Sequence, residues 1–296
     1  MRKTLITGAT GELGSAVAEF LSTKIDKSNI AVLVRDVHSE KAEQYKQQGL
    51  DIRIGDYDNK DSLLNAFSGI EQLYFISGND VMARLKQHEN VVKAAKEAGV
   101  KHILYTSTVR KDESPEAPLY AVVSGHLKTE ELIKESGITY TILRHSLYAE
   151  VIPMFIGDRS KLLETKSIYL PVGSGKTAFV ARRDFAEAGA VILADAKAHE
   201  NKVYKFLGSE KINFEEVSQT ISEVTGEQIG FTSPSVEEFE ATLKSIGLPQ
   251  EIIAMLSMFS QAIANGEFDQ EASDLETILG RKTLGLKTFL SNVYSK

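Results

Sequence analysis

The sequence predicts an α/β chain in which a doubly wound parallel sheet is joined to a smaller, mostly helical C-terminal part. Short apolar runs alternate with amphipathic stretches through the first half. They recur roughly every 20–35 residues, the length of a βα unit. Several are apolar on both faces, as strands covered by helices on both sides are.

The runs are Leu5-Ile6, Ile30 to Val34, Ile52-Arg53-Ile54, Leu73 to Ile76, His102 to Tyr105 and Tyr140 to Leu143. After Gly11, the residues Leu13, Ala16, Val17, Phe20 and Leu21 fall at helical spacing and make one apolar stripe. Val81, Leu85, His88, Val92 and Ala95 repeat the pattern, and Gly99 supplies a C-terminal stop. No proline precedes Pro115, which suits uninterrupted alternation. Six such units imply right-handed crossovers and a doubly wound sheet. From about residue 150 the pattern changes. Pro171 to Gly175 reads as a loop, and Glu237 to Ile246 and Gln250 to Ala264 as helices separated by Pro249. The expected division is 1–149 for the sheet unit, rejoined by chain near 176–207, and 150–296 for a smaller substrate or lid unit. Met255, Met258 and Phe259 form a stripe there that is either core or interface, with core favoured.

Composition narrows the chemistry. The chain has 296 residues, 42% hydrophobic and 25% charged, enough to bury a real core. No run approaches the ~18 apolar residues of a membrane span. The net charge of −7, without a large basic cluster, argues against a nucleic-acid groove. The absence of cysteine removes disulfides, thiolate nucleophiles and Cys-ligated metals. The six histidines show no metal-binding spacing, so no metal site is expected. The basic start is followed by too few apolar residues for a secretory signal, and the cytoplasm is the expected compartment.

Thr7-Gly8-Ala9-Thr10-Gly11-Glu12-Leu13-Gly14 links the first strand to the first helix. Its glycine spacing is GxxGxxG. The first glycine permits a tight turn, the second lets backbone approach a pyrophosphate, and the third lets helix and strand pack closely. The helix N-terminus then offers N–H groups and a positive dipole end to the phosphates. Strand before and stripe helix after point to a Rossmann dinucleotide site rather than a merely structural turn, with Gly8, Thr10, Gly11, Glu12 and Leu13 as expected cofactor contacts. NAD sites usually carry an acid at the end of the second strand. Here Arg35 occupies that place, with Asp36 one residue on. Arg35 suits a 2′-phosphate, so NADP(H) is favoured over a merely solvated strand end. Asp36 either points away or caps the next helix. Ser77 and Gly78 end the fourth strand and are placed at the ribose or nicotinamide phosphate. Gly175-Lys176-Thr177 is a decoy for a nucleotide triphosphate loop, since the glycine required five residues earlier is Leu170.

These residues resemble the short-chain dehydrogenase/reductase superfamily, specifically its atypical NmrA-like branch, nearest in pattern to the bacterial quinone and triphenylmethane dye reductases. Gly55-Asp56-Tyr57-Asp58 resembles the adenine-side turn of that branch, and Asn90 to Lys101 with Tyr105-Thr106-Ser107 its fourth helix and fifth strand. Ile142-Leu143-Arg144-His145 through Tyr148 resembles its nicotinamide-side loop. Gly173 to Lys176 with Arg183 to Ala186, and Leu275 to Arg281, resemble later signatures, so nearly the whole chain is covered. The resemblance adds Asp56, Tyr57, Leu143 and Arg144 to the expected cofactor contacts. It implies flavin-free hydride transfer from NADPH to a planar acceptor such as a quinone; monomer and homodimer both fit the sequence. The runner-up is a redox-sensing regulator, since the branch includes members that bind dinucleotide without turning it over and dock onto other proteins.

Typical members of the superfamily use Tyr-x-x-x-Lys, where the lysine lowers the tyrosine pKa for proton exchange with an alcohol or carbonyl oxygen. None of the ten tyrosines here is followed by a lysine at that spacing. Tyr140 alone is followed by a base, Arg144, and both sit on a strand. A quinone needs no such acid, because hydride delivery leaves a hydroquinone anion that water can protonate. Positioning candidates are then His145, Tyr148 and Ser107. His145 either donates to an acceptor oxygen or packs, although an asparagine is expected there in the related quinone reductases. Tyr148 either stacks on the acceptor or joins the core. Ser107 stands where the superfamily's Ser/Thr usually lies. A third reading is an ordinary carbonyl reductase using an unrecognised acid such as His126; Lys128 reads as solvated, and His88 as core.

Overall fold

The structure is a computed structural model that describes residues 2–271 and 274–295. Its strands are β1 (Thr4–Ile6), β2 (Ile30–Val34), β3 (Asp51–Ile54), β4 (Gln72–Phe75), β5 (His102–Thr108), β6 (Thr139–His145), β7 (Ser167–Tyr169), β8 (Lys202–Phe206) and β9 (Gly230–Thr232). Seven form one sheet in the order β3-β2-β1-β4-β5-β6-β8, every neighbouring pair parallel. The order reverses between β1 and β4, the crevice where such sheets bind ligands at their carboxyl ends. The six apolar runs are thus the first six strands of a Rossmann-like sheet.

Alternate side chains of each strand feed two cores. Ile6, Val32, Tyr74, Leu104 and Leu143 face helices Glu12–Leu21 and Arg182–Ala194. Leu5, Leu33, Leu73, Phe75, Ile103 and Ile142 face helices Lys60–Ala66, Arg84–Glu97 and Tyr120–Glu135. A third core gathers Phe155, Phe179, Phe214, Phe239 and Phe289 from the later chain. There helices Phe214–Thr225, Val236–Ser245, Gln250–Ala264 and Leu286–Tyr294 pack with the short parallel pair β7 and β9. Met255, Met258 and Phe259 pack against this core, partly buried. The chain between these elements returns to the large sheet, with Arg182–Ala194 against the first helix and β8 against β6.

Two details depart from the sequence reading, and a third explains a glycine. The β7 and β9 strands, three residues each, are too short to show a period. Val81 and Leu85 do not extend the buried stripe. Asp80 accepts N–H bonds from Met82 and Ala83 at 2.9 and 3.1 Å, which delays the helix start to Arg84 and leaves both apolar residues exposed. Gly175 is explained by packing, since a Cβ there would stand 2.3 Å from the Ile263 carbonyl oxygen.

Candidate cofactor site

The loop after β1 has the geometry that its glycines call for. Gly8 takes φ +58°, a conformation side chains avoid. Gly14 has no room for one, because a Cβ would stand 2.3 Å from the Gly8 carbonyl oxygen. The helix therefore starts in contact with the loop. Gly11 is its N-cap and makes no side-chain cap bond. The first-turn N–H groups at Glu12 and Leu13 stay available beside exposed Gly8, Thr10 and Gly11. Leu13 buries its side chain, so only its backbone can serve a ligand. The Tyr45 hydroxyl donates to the Ala9 carbonyl at 2.5 Å and fixes the loop from below.

Around this loop, hydrogen bonds tie the carboxyl ends of four strands into one rim. The Tyr57 hydroxyl lies 2.5 Å from Thr7 Oγ1 and 2.7 Å from the Ile76 carbonyl oxygen, and the Ile76 N–H donates to Thr7 Oγ1 at 3.0 Å. Burial pushes the Tyr57 phenol up, so it remains protonated. The Ser77 N–H donates to Thr106 Oγ1 at 3.0 Å. The Gly78 N–H donates to His88 Nε2 at 3.0 Å, His88 Nδ1 lies 2.8 Å from Thr129 Oγ1, and that hydroxyl donates to the Gly125 carbonyl at 2.7 Å. This chain requires neutral His88 with its proton on Nδ1. Burial agrees, lowering its pKa to about 3. Arg84 closes the same turn, donating from Nε to the Gly78 carbonyl at 3.0 Å.

At the far side of the rim, Arg35 ends β2 exposed and forms no ion pair among the described residues. Asp36 is turned away, accepting the His38 N–H at 2.8 Å, while Ser39 caps the following helix. The sequence reading missed Ile54, which ends β3 with 55% of its surface exposed in register with Val34. Asp56 is half-buried and accepts the Asp58 N–H at 2.9 Å. Gly8, Thr10, Gly11, Arg35, Ile54, Asp56, Ser77 and Gly78 thus line one edge of the sheet.

Four expected contacts lie elsewhere. Leu143 is fully buried mid-strand, because its β6 side chain faces the first helix's core. Arg144 points to the opposite face and binds Glu130, with contacts of 3.1 and 2.6 Å. Arg110 binds the same carboxylate at 2.6 and 3.1 Å, and Ser107 donates to it at 2.7 Å. Burial opposes ionisation of Glu130, but the two guanidiniums prevail and hold its pKa at about 2. Ser107 is therefore committed to a buried ionic cluster. A usable signal existed, since Val123, His126, Glu130 and Ile133 share one helical face. His145 is only 3% exposed, stacked 4.2 Å from Phe185 and 5.7 Å from Phe206. Burial lowers its pKa to about 3, and its Nδ1 lies 3.3 Å from the Tyr148 hydroxyl. Its Nε2 is buried with no hydrogen-bond partner among the described residues, so the ring packs in the core and does not reach the crevice. Tyr148 is half-buried, its phenol pushed up to about 12 by burial, and the Arg182 guanidinium sits 4.8 Å from its ring centre.

The helix Tyr120–Glu135 carries no phenol–lysine pair. Lys128 is on its exposed face, 2.8 Å from Glu131. His126 is buried, its Nδ1 2.7 Å from the Tyr105 hydroxyl. Its pKa is held well below the ordinary value by burial and by Arg84.

The chain is 34% identical to quinone oxidoreductase 2 of Escherichia coli over 290 residues, covering 98% of both chains. It is also 25% identical to an NAD(P)H azoreductase of Xenophilus azovorans, covering 87% of this chain and 86% of that one. Among solved structures, the NADPH complex of the Escherichia coli NADPH-dependent quinone oxidoreductase superposes with a TM-score of 0.90 at 33% identity, covering 99% and 100% of the two chains. The triphenylmethane reductase of Citrobacter sp. gives a TM-score of 0.88 at 35% identity, covering 99% of each. The profile of the NmrA-like family matches residues 1–290. With this loop, this sheet order and these likenesses, the chain belongs to the NmrA-like family.

Proposed function

We propose that the chain is a flavin-independent reductase that takes hydride from NADPH and delivers it to a quinone or a similar planar acceptor. Bound NADPH would supply the hydride from its nicotinamide ring. The rim fits such a cofactor. Free N–H groups at Glu12 and Leu13 suit the diphosphate. Unpaired Arg35 suits the 2′-phosphate, exposed Ile54 offers an apolar rest for the adenine, and Ser77 and Gly78 lie at the ribose side. The relatives named for quinone and dye reduction share nearly the full length of the chain.

The observation that carries the acceptor class is the missing proton carrier on helix Tyr120–Glu135. Lys128 faces solvent and His126 is sealed in the core. A substrate reduced to an alkoxide would need an acid in that position. A quinone does not, because water suffices to protonate a hydroquinone anion. What the protein then contributes is orientation of the acceptor against the cofactor and exclusion of side reactions. The likeness to the NmrA regulator, at 11% identity, concerns the fold and lends the silent-sensor alternative no support of its own. The purified chain, given NADPH and a panel of quinones and triphenylmethane dyes without flavin, is expected to consume NADPH only when acceptor is present. Tight NADPH binding with no consumption across the panel would overturn the proposal in favour of a sensor.

A further inference from the structure

Glu12 is an odd neighbour for a diphosphate. It is the first residue of the helix whose N–H groups form the anion site, and its side chain is 73% exposed. The glycine spacing does not require an acid there, and a bare carboxylate would repel the ligand that the loop is shaped to hold. The structure places a cation against it. Arg182, first residue of helix Arg182–Ala194, donates from its guanidinium to the Glu12 carboxylate. Arg182 is held from two further directions. Its N–H donates to the Glu150 carboxylate at 3.0 and 3.2 Å, and its guanidinium lies over the Tyr148 ring. One residue on, Arg183 binds Glu19 at 3.0 and 2.8 Å and joins the same two helices. Arg182 therefore keeps its place without help from Glu12.

We propose that Arg182 is a positioning residue for cofactor binding, the counter-ion that cancels the charge of Glu12 beside the diphosphate. The inference rests on the NADPH reading above. Arg182 acts through Glu12, so its removal exposes the diphosphate to an uncompensated carboxylate. Through partly screened solvent that repulsion weakens NADPH binding by about fivefold.

The test is titration of the full chain with NADPH, followed by nicotinamide fluorescence. Parent, Arg182→Met, Arg182→Lys, Glu12→Gln and the double variant Glu12→Gln/Arg182→Met are compared, each first shown by thermal melting to be folded. The expected order is Glu12→Gln tighter than parent, Arg182→Met weaker by about fivefold, Arg182→Lys near parent, and the double variant back near parent. The deficit of Arg182→Met should shrink in ~1 M salt, where the screening length is about 3 Å. A purely structural role would leave both the double variant and the high-salt measurement as weak as Arg182→Met, and either result overturns the inference. So does an Arg182→Met protein that binds like the parent. If the parent itself fails to bind NADPH, the cofactor reading falls instead.

Discussion

Four histidines should make this protein sensitive to mild acid. His88, His102, His126 and His145 are each at most 5% exposed. Burial lowers the pKa of His88 and His145 to about 3 and of His102 to about 4, and holds His126 well below its usual value. His88 Nε2 already accepts the Gly78 N–H, and His145 Nε2 is buried with no hydrogen-bond partner among the described residues, so protonation breaks the first bond and buries new charge at the second ring. Folding is thus coupled to the neutral ring. The folded pKa lies below the unfolded value of 6.5, so the stability these residues bring is present above pH 6.5 and is lost as pH falls. At pH about 5.5 each unfolded imidazole gains about 1.4 kcal/mol from protonation that the folded one does not. Four of them remove roughly 6 kcal/mol. A domain has only about 5–15 kcal/mol in total. Urea unfolding followed by far-UV circular dichroism, from pH about 7.5 to about 5.5, should show a loss of that size, with a slope approaching four protons per molecule. Glu130 does not confuse the window. Its carboxyl is held at about 2 against 4.5 when free, so its contribution is lost only as pH falls below about 4.5. A fall below about 2 kcal/mol across the range would show that these rings protonate inside the fold and would refute the argument.

Other consequences follow from single residues. Arg35→Ala should weaken NADPH binding by about 1.5–3 kcal/mol in a fluorescence titration and leave NADH nearly unchanged. Equal losses for both cofactors would contradict a 2′-phosphate contact. Glu130→Gln leaves Arg110 buried beside Arg144 without their shared carboxylate and should cost about 3–5 kcal/mol in urea unfolding at neutral pH. Gly14→Ala forces a methyl to within 2.3 Å of the Gly8 carbonyl oxygen. It should cost about 1–3 kcal/mol and abolish measurable NADPH binding, read by melting temperature and titration on the same sample.

The sheet was legible because its strands are apolar on two faces and its helices on one. The glycine loop was legible because the backbone there admits few residues, and Gly8 and Gly14 show those constraints directly. What the sequence hides is the direction of side chains after β5 and β6. Leu143, Arg144 and His145 follow one another, yet the pleat sends Arg144 to Glu130 on one face and Leu143 and His145 into the core on the other. Local patterning identifies the strand end without saying which of its residues reach the crevice. The ionic cluster was hidden for a different reason. Ser107, Arg110, Glu130 and Arg144 lie on β5, the loop after it, helix Tyr120–Glu135 and β6, and only Glu130 carries a local signal of burial, its place on the buried face of that helix. Ile54 escaped notice because exposure of an apolar strand end depends on where the neighbouring loop runs.

The placement of β8 bears on how the chain is made. Residues Lys202–Phe206 supply the last neighbour of β6, and the helix Arg182–Ala194 covers the first helix from the other side. A nascent chain released only through residue 150 would present β6 as a bare edge, open to pairing with another copy, and an oily flank along helix Glu12–Leu21. Covering the β6 edge during synthesis must therefore wait for more than two hundred residues to leave the ribosome. Fragments cut near residue 150 should clump rather than behave as free-standing nucleotide binders.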